Sequence, residues 1–401
     1  MTHPICELKR GREKSLLSRH PWVFSGAVDK EPNAAPGAVV DVVSAEGEFL
    51  ARGCYNPNSQ IRVRALTFRD EPIDGAFFVR RLRDANDWRR GLLPVETNCY
   101  RVCYAEGDGL PGVVVDLYDR HAVVQFETAG ADAFRDRIVA ALQEVLDPVG
   151  ILERSDGGFR FDEGLEPVTG LLSGSEPPDA LEIQERGLRF LADLQRGDKT
   201  GFYLDHRESR RLAERIAHQR TVLNTFANTG GFSIACLAGG AKHVANVDDN
   251  ADALALSKRA HALNDYAPDL TDHIQADAFE FVARCNDKFD LVILDPPAFS
   301  KRQAGVPRAL REYKDLLIRG MRLLNPGGEI LAFSNSGHVD AGMFQKVAFG
   351  AALESGLEVQ IVGRLGQPFD HPINIYHPES EYLCGLHLRT ASAHGGREAR
   401  P

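Results

Sequence analysis

Hydrophobic and polar positions alternate with a period of two over the first 70 residues. The runs Ala38–Ser44, Phe49–Gly53 and Gln60–Phe68 are separated by turn signals at Pro36-Gly37, Glu46-Gly47-Glu48 and Asn56-Pro57-Asn58. Short alternating runs with frequent turns predict a small β-barrel. Over 75–92 the period lengthens, and Phe77, Phe78, Leu82 and Trp88 on an arginine-studded background predict an amphipathic helix. Strand patterning returns over 99–162, with Val113–Leu117 and Ala122–Phe126 on either side of the turn Tyr118–His121, before a helix near Ala133–Leu146. Glu166–Pro178 is rich in Pro, Gly and Ser and reads as a linker or crossing loop.

From about residue 186 strands and helices alternate. Strands are expected at Thr221–Phe226, Val244–Val247, Ile274–Gln275, Phe289–Leu294 and Glu329–Phe333. Helices are expected from Phe232–Leu237, then at Ala251–Leu263, Ala278–Cys285, Leu310–Leu324 and Ala341–Glu354. Phe289–Leu294 (FDLVIL) is nearly all apolar, as in a central parallel strand buried on both faces. Elements of these lengths in this order predict an α/β, Rossmann-like doubly wound sheet.

A chain of 401 residues exceeds one ordinary core. The pattern divides it into a β-barrel over 1–72, an α+β middle domain over 73–185, an α/β domain over 186–390 and a disordered tail over 391–401. No apolar run approaches the ~18 residues of a membrane span, and Met1–Lys14 has no apolar signal core. The seven cysteines are scattered and odd in number, which suggests reduced thiols in a cytoplasmic protein and no metal site. The net charge of −10 argues against bulk nucleic-acid binding, but the charge is uneven. Lys9, Arg10, Arg12, Lys14, Arg19 and His20 face a lone Glu13 within 9–20. A second basic stretch holds Lys301, Arg302, Arg308, Arg311, Lys314, Arg319 and Arg322. Each reads as a solvated face, and the two gain interest only if both flank one site.

Ligands of such sheets bind beyond the carboxyl ends of the strands. The first strand runs into Asn224-Thr-Phe-Ala-Asn-Thr-Gly-Gly-Phe232, where Phe226, Thr229, Gly230 and Gly231 offer close backbone approach and the free N–H groups of a helix start. Asp248 ends the second strand, a spacing suited to ribose hydroxyls, and Asp277 ends the third, near an adenine edge. Either carboxylate can instead be a helix N-cap. The fourth strand ends in Asp295-Pro296-Pro297-Ala298-Phe299, whose prolines fix an extended backbone and leave carbonyls and a carboxylate toward the cleft. The absence of G-x-G-x-x-G makes a dehydrogenase remote.

These strings give the chain a specific resemblance. Asp-Pro-Pro-x-aromatic is similar to the motif with which class I S-adenosylmethionine (AdoMet) methyltransferases hold a planar amino-bearing base. Lys9–Ser15, His20–Gly26 and Ala51-Arg-Gly53 resemble the opening of bacterial 23S ribosomal RNA cytosine-C5 methyltransferases with a PUA domain, as do Glu106–Gly112 and Gln195–Arg207 (QRGDKTGFYLDHR). The resemblance covers nearly everything to about residue 388. It implies AdoMet as cofactor and large-subunit ribosomal RNA, or the pre-50S particle, as partner of a monomer or homodimer. It places Lys9, Arg12 and Lys14 on the RNA side, Asp205 and Arg207 near the cofactor, and Arg207 on the AdoMet carboxylate, with a scaffold salt bridge as its other reading. Pro296, Pro297 and Phe299 would meet the base, with Phe299 as the stacking face or a packing residue.

One position departs from that family. Cytosine C5 needs a cysteine thiolate adding to C6 before it can accept a methyl group. The family's Ser-Cys-Ser is here Ser334-Asn335-Ser336. An amide cannot add covalently. A related branch that methylates guanine N7 resembles this chain at Asp295–Ser300, at Phe333-Ser334-Asn335 and at Leu204–Arg207. Asp295 and Asn335 are therefore the candidate catalytic pair. The readings are cytosine C5 methylation, methylation of a base nitrogen such as guanine N7, or a silent AdoMet- and RNA-binding protein.

Overall fold

A computed structural model describes residues 3–300 and 302–391. Lys301 and the tail expected as disordered, from 392 on, lie outside the described residues. The chain divides into two units. The first comprises Met1–Leu181, Asp193–Gly201 and Phe369–Ser380, and the second Glu182–Ala192, Phe202–Pro368 and Glu381–Pro401. The segments expected at 1–72 and 73–185 thus fall almost wholly in one unit, which also takes in two later stretches of chain.

The first unit holds two sheets. Strands β1 (Ile5–Leu8), β2 (Trp22–Phe24), β3 (Val28–Lys30), β4 (Val39–Val43), β5 (Phe49–Tyr55) and β6 (Ile61–Thr67) form one in the order β2-β6-β5-β4-β1-β3. Alternate residues such as Cys6, Leu8, Val40, Val42, Ala51 and Val63 fill its core, as the period of two requires. Strands β7 (Cys99–Tyr104), β8 (Val113–Tyr118), β9 (His121–Phe126), β10 (Gly150–Ser155) and β11 (Val168–Gly174) form the second, in the order β11-β10-β9-β8-β7. Helices α1 (Gly75–Arg90) and α2 (Arg135–Leu146) contribute Phe77, Phe78, Leu82, Ile138 and Leu142 to its core. Asp74 caps α1 by accepting from Phe77 N. The expected linker at 166–178 is corrected here, because β11 pairs antiparallel with β10. An edge strand tolerates Gly170 and Gly174, and its polar, half-exposed pattern hides it from a reading based on turn residues.

In the second unit a hairpin of β12 (Leu181–Glu185) and β13 (Leu188–Ala192) precedes the main sheet. That sheet contains β14 (Thr221–Thr225), β15 (His243–Asp248), β16 (Thr271–Gln275), β17 (Phe289–Leu294), β18 (Leu324–Ser334), β19 (Val359–Gly366) and β20 (Cys384–Thr390). Their order is β16-β15-β14-β17-β18-β20-β19; the first five are parallel, and β20 runs antiparallel to both neighbours. The α/β expectation holds. Leu291, Val292, Ile293 and Leu294 are at most 1% exposed, so β17 is covered on both faces. The helices are α3 (Arg207–Ile216), α4 (Gly231–Ala238), α5 (Ala251–Leu263), α6 (Ala278–Arg284), α7 (Val306–Arg322) and α8 (Ala341–Ser355). Helix α7 buries Ala309, Tyr313, Leu316, Leu317, Gly320 and Met321, an i, i+3, i+4 stripe facing the sheet. It starts four residues before the expected Leu310, where Pro307 occupies the first turn and needs no N–H partner. Among the described residues no helix is long and apolar enough to cross a membrane.

Glu329 on β18 joins two strands and a loop. Arg220 Nη2 donates to Glu329 Oε1 (2.7 Å), and His387 Nε2 lies 2.5 Å from Oε2. Burial would raise this carboxyl, yet those two partners bring it down to about 2. A carboxylate with a depressed folded pKa stabilises the fold above its unfolded value and loses that contribution as the pH falls toward the folded one. Glu329→Gln should cost about 2 kcal/mol at pH 7, and the difference from wild type should shrink as the pH falls from about 4.5 toward 2. Urea denaturation across that range checks both statements.

Candidate active site

The parallel registers put the ends of β14, β15, β17 and β18 on one edge of the sheet, since Thr225 pairs with Val247 and Leu294, and Leu294 with Ala332. The turn after β14 is strained. Phe226 (φ 56°), Asn228 (φ 46°) and Gly230 (φ 78°) all adopt left-handed conformations, which cost side-chain-bearing residues about 1–3 kcal/mol each. Asp248 offsets this by accepting from Asn228 N (2.7 Å) through Oδ2 and from Asn250 N (2.9 Å) through Oδ1. One carboxylate therefore fastens the turn after β14 to the turn after β15. Gly230 meets a second constraint, because a Cβ there would lie 2.2 Å from Ser257 Oγ on α5. Gly231 opens α4, and Thr229 is buried just before it.

Asp277 is exposed and caps α6 by accepting from Glu280 N at 2.8 Å. Phe226 packs on Phe279, ring centroids 5.2 Å apart. Asp205 is buried and accepts from Tyr382 OH at 2.6 Å. Arg207 is fully buried, with Nε 3.4 Å from Glu185 Oε2. Arg210 grips the same carboxylate through two N–H groups at 2.8 and 2.6 Å. Glu185 thus anchors two arginines of α3. No short-range pattern links position 185 to positions 207 and 210, so the sequence hid this pairing.

The fourth and fifth strand ends meet. Asn335 Nδ2 donates to Asp295 Oδ1 (3.0 Å) and to the Pro296 carbonyl (3.2 Å). Its Oδ1 is buried and accepts no hydrogen bond among the described residues. On the other carboxylate oxygen, His206 Nε2 lies 3.0 Å from Asp295 Oδ2, close but off the hydrogen-bond direction. The His206 ring is 1% exposed and wedged between Phe232 (5.4 Å) and Phe333 (4.7 Å). Sequence reasoning passed over His206 although it sits inside the 195–207 string, because only the fold brings it to Asp295. Pro297 is exposed and Pro296 buried. Phe299 is half-buried in a row of rings, 5.6 Å from Phe279 and 4.4 Å from Tyr313, which is packing geometry. Lys9, Arg12 and Lys14 are exposed in the first unit.

No thiol occupies the place of Asn335. Cys384 lies opposite Ser334 in the ladder, but its Sγ points to Val339 O (3.4 Å) and burial pushes it up to about 12. Burial does the same to Cys236 inside α4. Cys285 follows the end of α6, and the other four cysteines belong to the first unit.

The two glycines of the turn should respond differently to a methyl group. Gly230→Ala meets both a left-handed backbone and Ser257, and should lose about 1–3 kcal/mol. At Gly231 the nearest atom to an added Cβ is Arg210 Cδ at 3.3 Å, on a side chain that can give. Gly231→Ala should stay within about 0.5 kcal/mol of wild type. Equal losses in denaturant melts would remove Ser257 as the reason for glycine at 230.

Comparison with known proteins agrees with this geometry. Residues 159–374 match the S-adenosylmethionine-dependent methyltransferase family and residues 7–68 a PUA-like domain. The chain is 46% identical over 385 residues to a ribosomal RNA large subunit methyltransferase I of Alteromonas mediterranea, covering 94% of this chain and 97% of that one. It is 44% identical over 391 residues to the protein of that name from Tolumonas auensis, covering 95% and 98%. Among solved structures, a SAM-dependent methyltransferase from Streptococcus mutans shares the fold, with a TM-score of 0.83 at 24% identity over 97% of this chain and all of that one. A methyltransferase complexed with SAH superposes equally well. The chain is an enzyme of the S-adenosylmethionine-dependent methyltransferase family and belongs with the ribosomal RNA large subunit methyltransferases I.

Proposed function

We propose that this protein methylates a nitrogen of a base in large-subunit ribosomal RNA, acting in the cytoplasm on the 23S RNA or a pre-50S particle. The observation that carries the choice of nitrogen is Asn335, whose amide is bound to Asp295 and Pro296 where covalent catalysis at C5 needs a thiolate. AdoMet supplies an electrophilic methyl group on sulfur. The turn at Phe226–Gly231 and the carboxylates of Asp205, Asp248 and Asp277 suit its amino-acid and nucleoside portions. Asp248 already accepts two backbone N–H groups, which hold its carboxylate at the strand end where ribose hydroxyls would meet it.

The residues facing the base would be acceptors. Asn335 Oδ1, the Pro296 carbonyl and Asp295 suit the amino or ring N–H edge of a purine or cytosine. A ring nitrogen such as guanine N7 attacks with its lone pair, so no proton has to leave. The positive charge that develops on the base is stabilised by the nearby Asp295 carboxylate. Cytosine C5 is the second reading, favoured by the resemblance that runs through the chain's long motifs.

Transfer from labelled AdoMet to undermodified 23S RNA, followed by digestion and nucleoside mass analysis, separates these readings. An N-methylated nucleoside is the expected product. Labelled 5-methylcytidine would overturn the nitrogen reading, and no label with AdoMet bound would leave a silent binder.

Asp295→Ala should lower turnover by about 10²-fold or more while AdoMet affinity stays within a few-fold. Unchanged turnover would remove Asp295 from the reaction. His206→Phe keeps the ring packing and removes the group beside Asp295 Oδ2, and should lower kcat by about tenfold with little effect on AdoMet binding. His206→Gln, which keeps a donor, should recover part of that loss.

A further inference from the structure

Two segments of the first unit, more than 350 positions apart in sequence, meet at one surface. The segment Phe369–Ser380 brings His377 against Trp22, ring centroids 4.4 Å apart, and Tyr376 beneath Arg19, whose guanidinium carbon is 5.9 Å from the ring centroid. Ile375 is 85% exposed and Tyr376 46%. These side chains stand on a fixed base. Asn374 Nδ2 donates to Glu106 O (3.0 Å), Asn374 N to Ser380 Oγ (3.1 Å) and Tyr376 N to Asn374 Oδ1 (3.0 Å). The loop thus holds a large apolar side chain out from the unit.

The segment that leads to Arg19 is basic and strained at one point. Lys9, Arg10, Arg12, Lys14 and Arg19 are all exposed. Arg19 is held at φ +62°, where Arg19 N donates to Leu16 O (2.8 Å) and His20 N to Ser15 O (3.0 Å). Glycine fits that conformation without strain, so an arginine there points to a use for the side chain. Of the nearby acids, Glu46 pairs with Arg10 (3.2 Å), and Glu379 lies 3.4 Å from His20 Nε2. Phe24, 49% exposed, continues the aromatic edge 6.2 Å from Trp22.

We infer that Tyr376 and Ile375 form a stacking site for an unpaired RNA base, with Arg19 and the exposed Lys9–Lys14 stretch on the flanking phosphates. The inference rests on the RNA reading above and adds to it a contact surface supplied by the returning 373–377 loop. Base-paired RNA hides its base faces, whereas a splayed nucleotide presents a π-face to an aromatic ring and its phosphates to arginine and lysine. An arginine over a half-exposed aromatic ring, next to an exposed aliphatic side chain, matches that chemistry.

The test is binding of an unmodified transcript of large-subunit ribosomal RNA to the full-length protein, over a range of salt. Tyr376→Ala should weaken binding about tenfold, Ile375→Ser less, and Tyr376→Phe should bind like wild type. Arg19→Gly relieves the strained backbone, so its melting temperature should stay level or rise. Its RNA affinity should fall, and the slope of log affinity against log salt should drop by about 0.7. Wild-type affinity in both Tyr376→Ala and Arg19→Gly overturns the inference while leaving the RNA substrate standing. No RNA binding by the wild-type protein overturns both. Normal affinity for naked RNA, with turnover lost only on ribosomal particles, would assign the surface to a protein partner and overturn the nucleotide site.

Discussion

A polar group at the end of a buried strand must find a partner, and this requirement organises the catalytic unit. Strands β14, β15, β17 and β18 are buried through most of their length and end on one edge. The carboxylates placed there, Asp248 and Asp295, would each cost several kcal/mol if left desolvated and unpaired. Asp248 is satisfied by backbone N–H groups from two different turns, and in satisfying it the turn after β14 is held in left-handed conformations it would otherwise leave. Asp295 is satisfied by a side chain from the next strand end and flanked by an imidazole from the segment ahead of α3. The shape of the cleft follows from how these two charges are paired.

The fold was legible because its signals are local. The apolar run Phe289–Leu294 can only be a strand covered on both faces, and Asp-Pro-Pro marks where it must stop. The period of two at 38–68 and of 3.6 at 75–92 is written within single windows. Where the reading missed, the cause was a weak local signal. Strand β11 carries glycine and serine and sits at an edge, so it lacks the alternation of β4 to β6. The hairpin β12–β13 is short, and the return of Phe369–Ser380 to the first unit depends on distant partners: Arg89 donates twice to Asp370 O, and Arg101 N donates to an Asp370 carboxylate oxygen.

The candidate site was legible as positions and only partly as roles. Gly230, Gly231, Asp248, Asp277, Asp295 and Asn335 were all flagged, because strand ends are predictable places for polar residues. What their side chains bind could not be read. Arg207 meets Glu185, which lies 22 positions earlier with nothing in between to announce the pair. Phe299 meets Phe279 and Tyr313 only through the packing of separate helices, which no local pattern announces. His206 went unnoticed for the same reason.

Asn335 bears on the chemistry this site can perform. A thiol in its place would have one weak donor, leaving Asp295 and the Pro296 carbonyl to find other partners. The amide supplies two N–H groups to two acceptors, so Asn335 ties the Asp295 carboxylate to the Pro296 carbonyl. The gain in preorganisation comes with the loss of any covalent route, because the amide nitrogen has no nucleophilic lone pair. On the nitrogen reading proposed above the substrate atom is already nucleophilic, so a site that holds its acceptors in place without a thiol is sufficient for it.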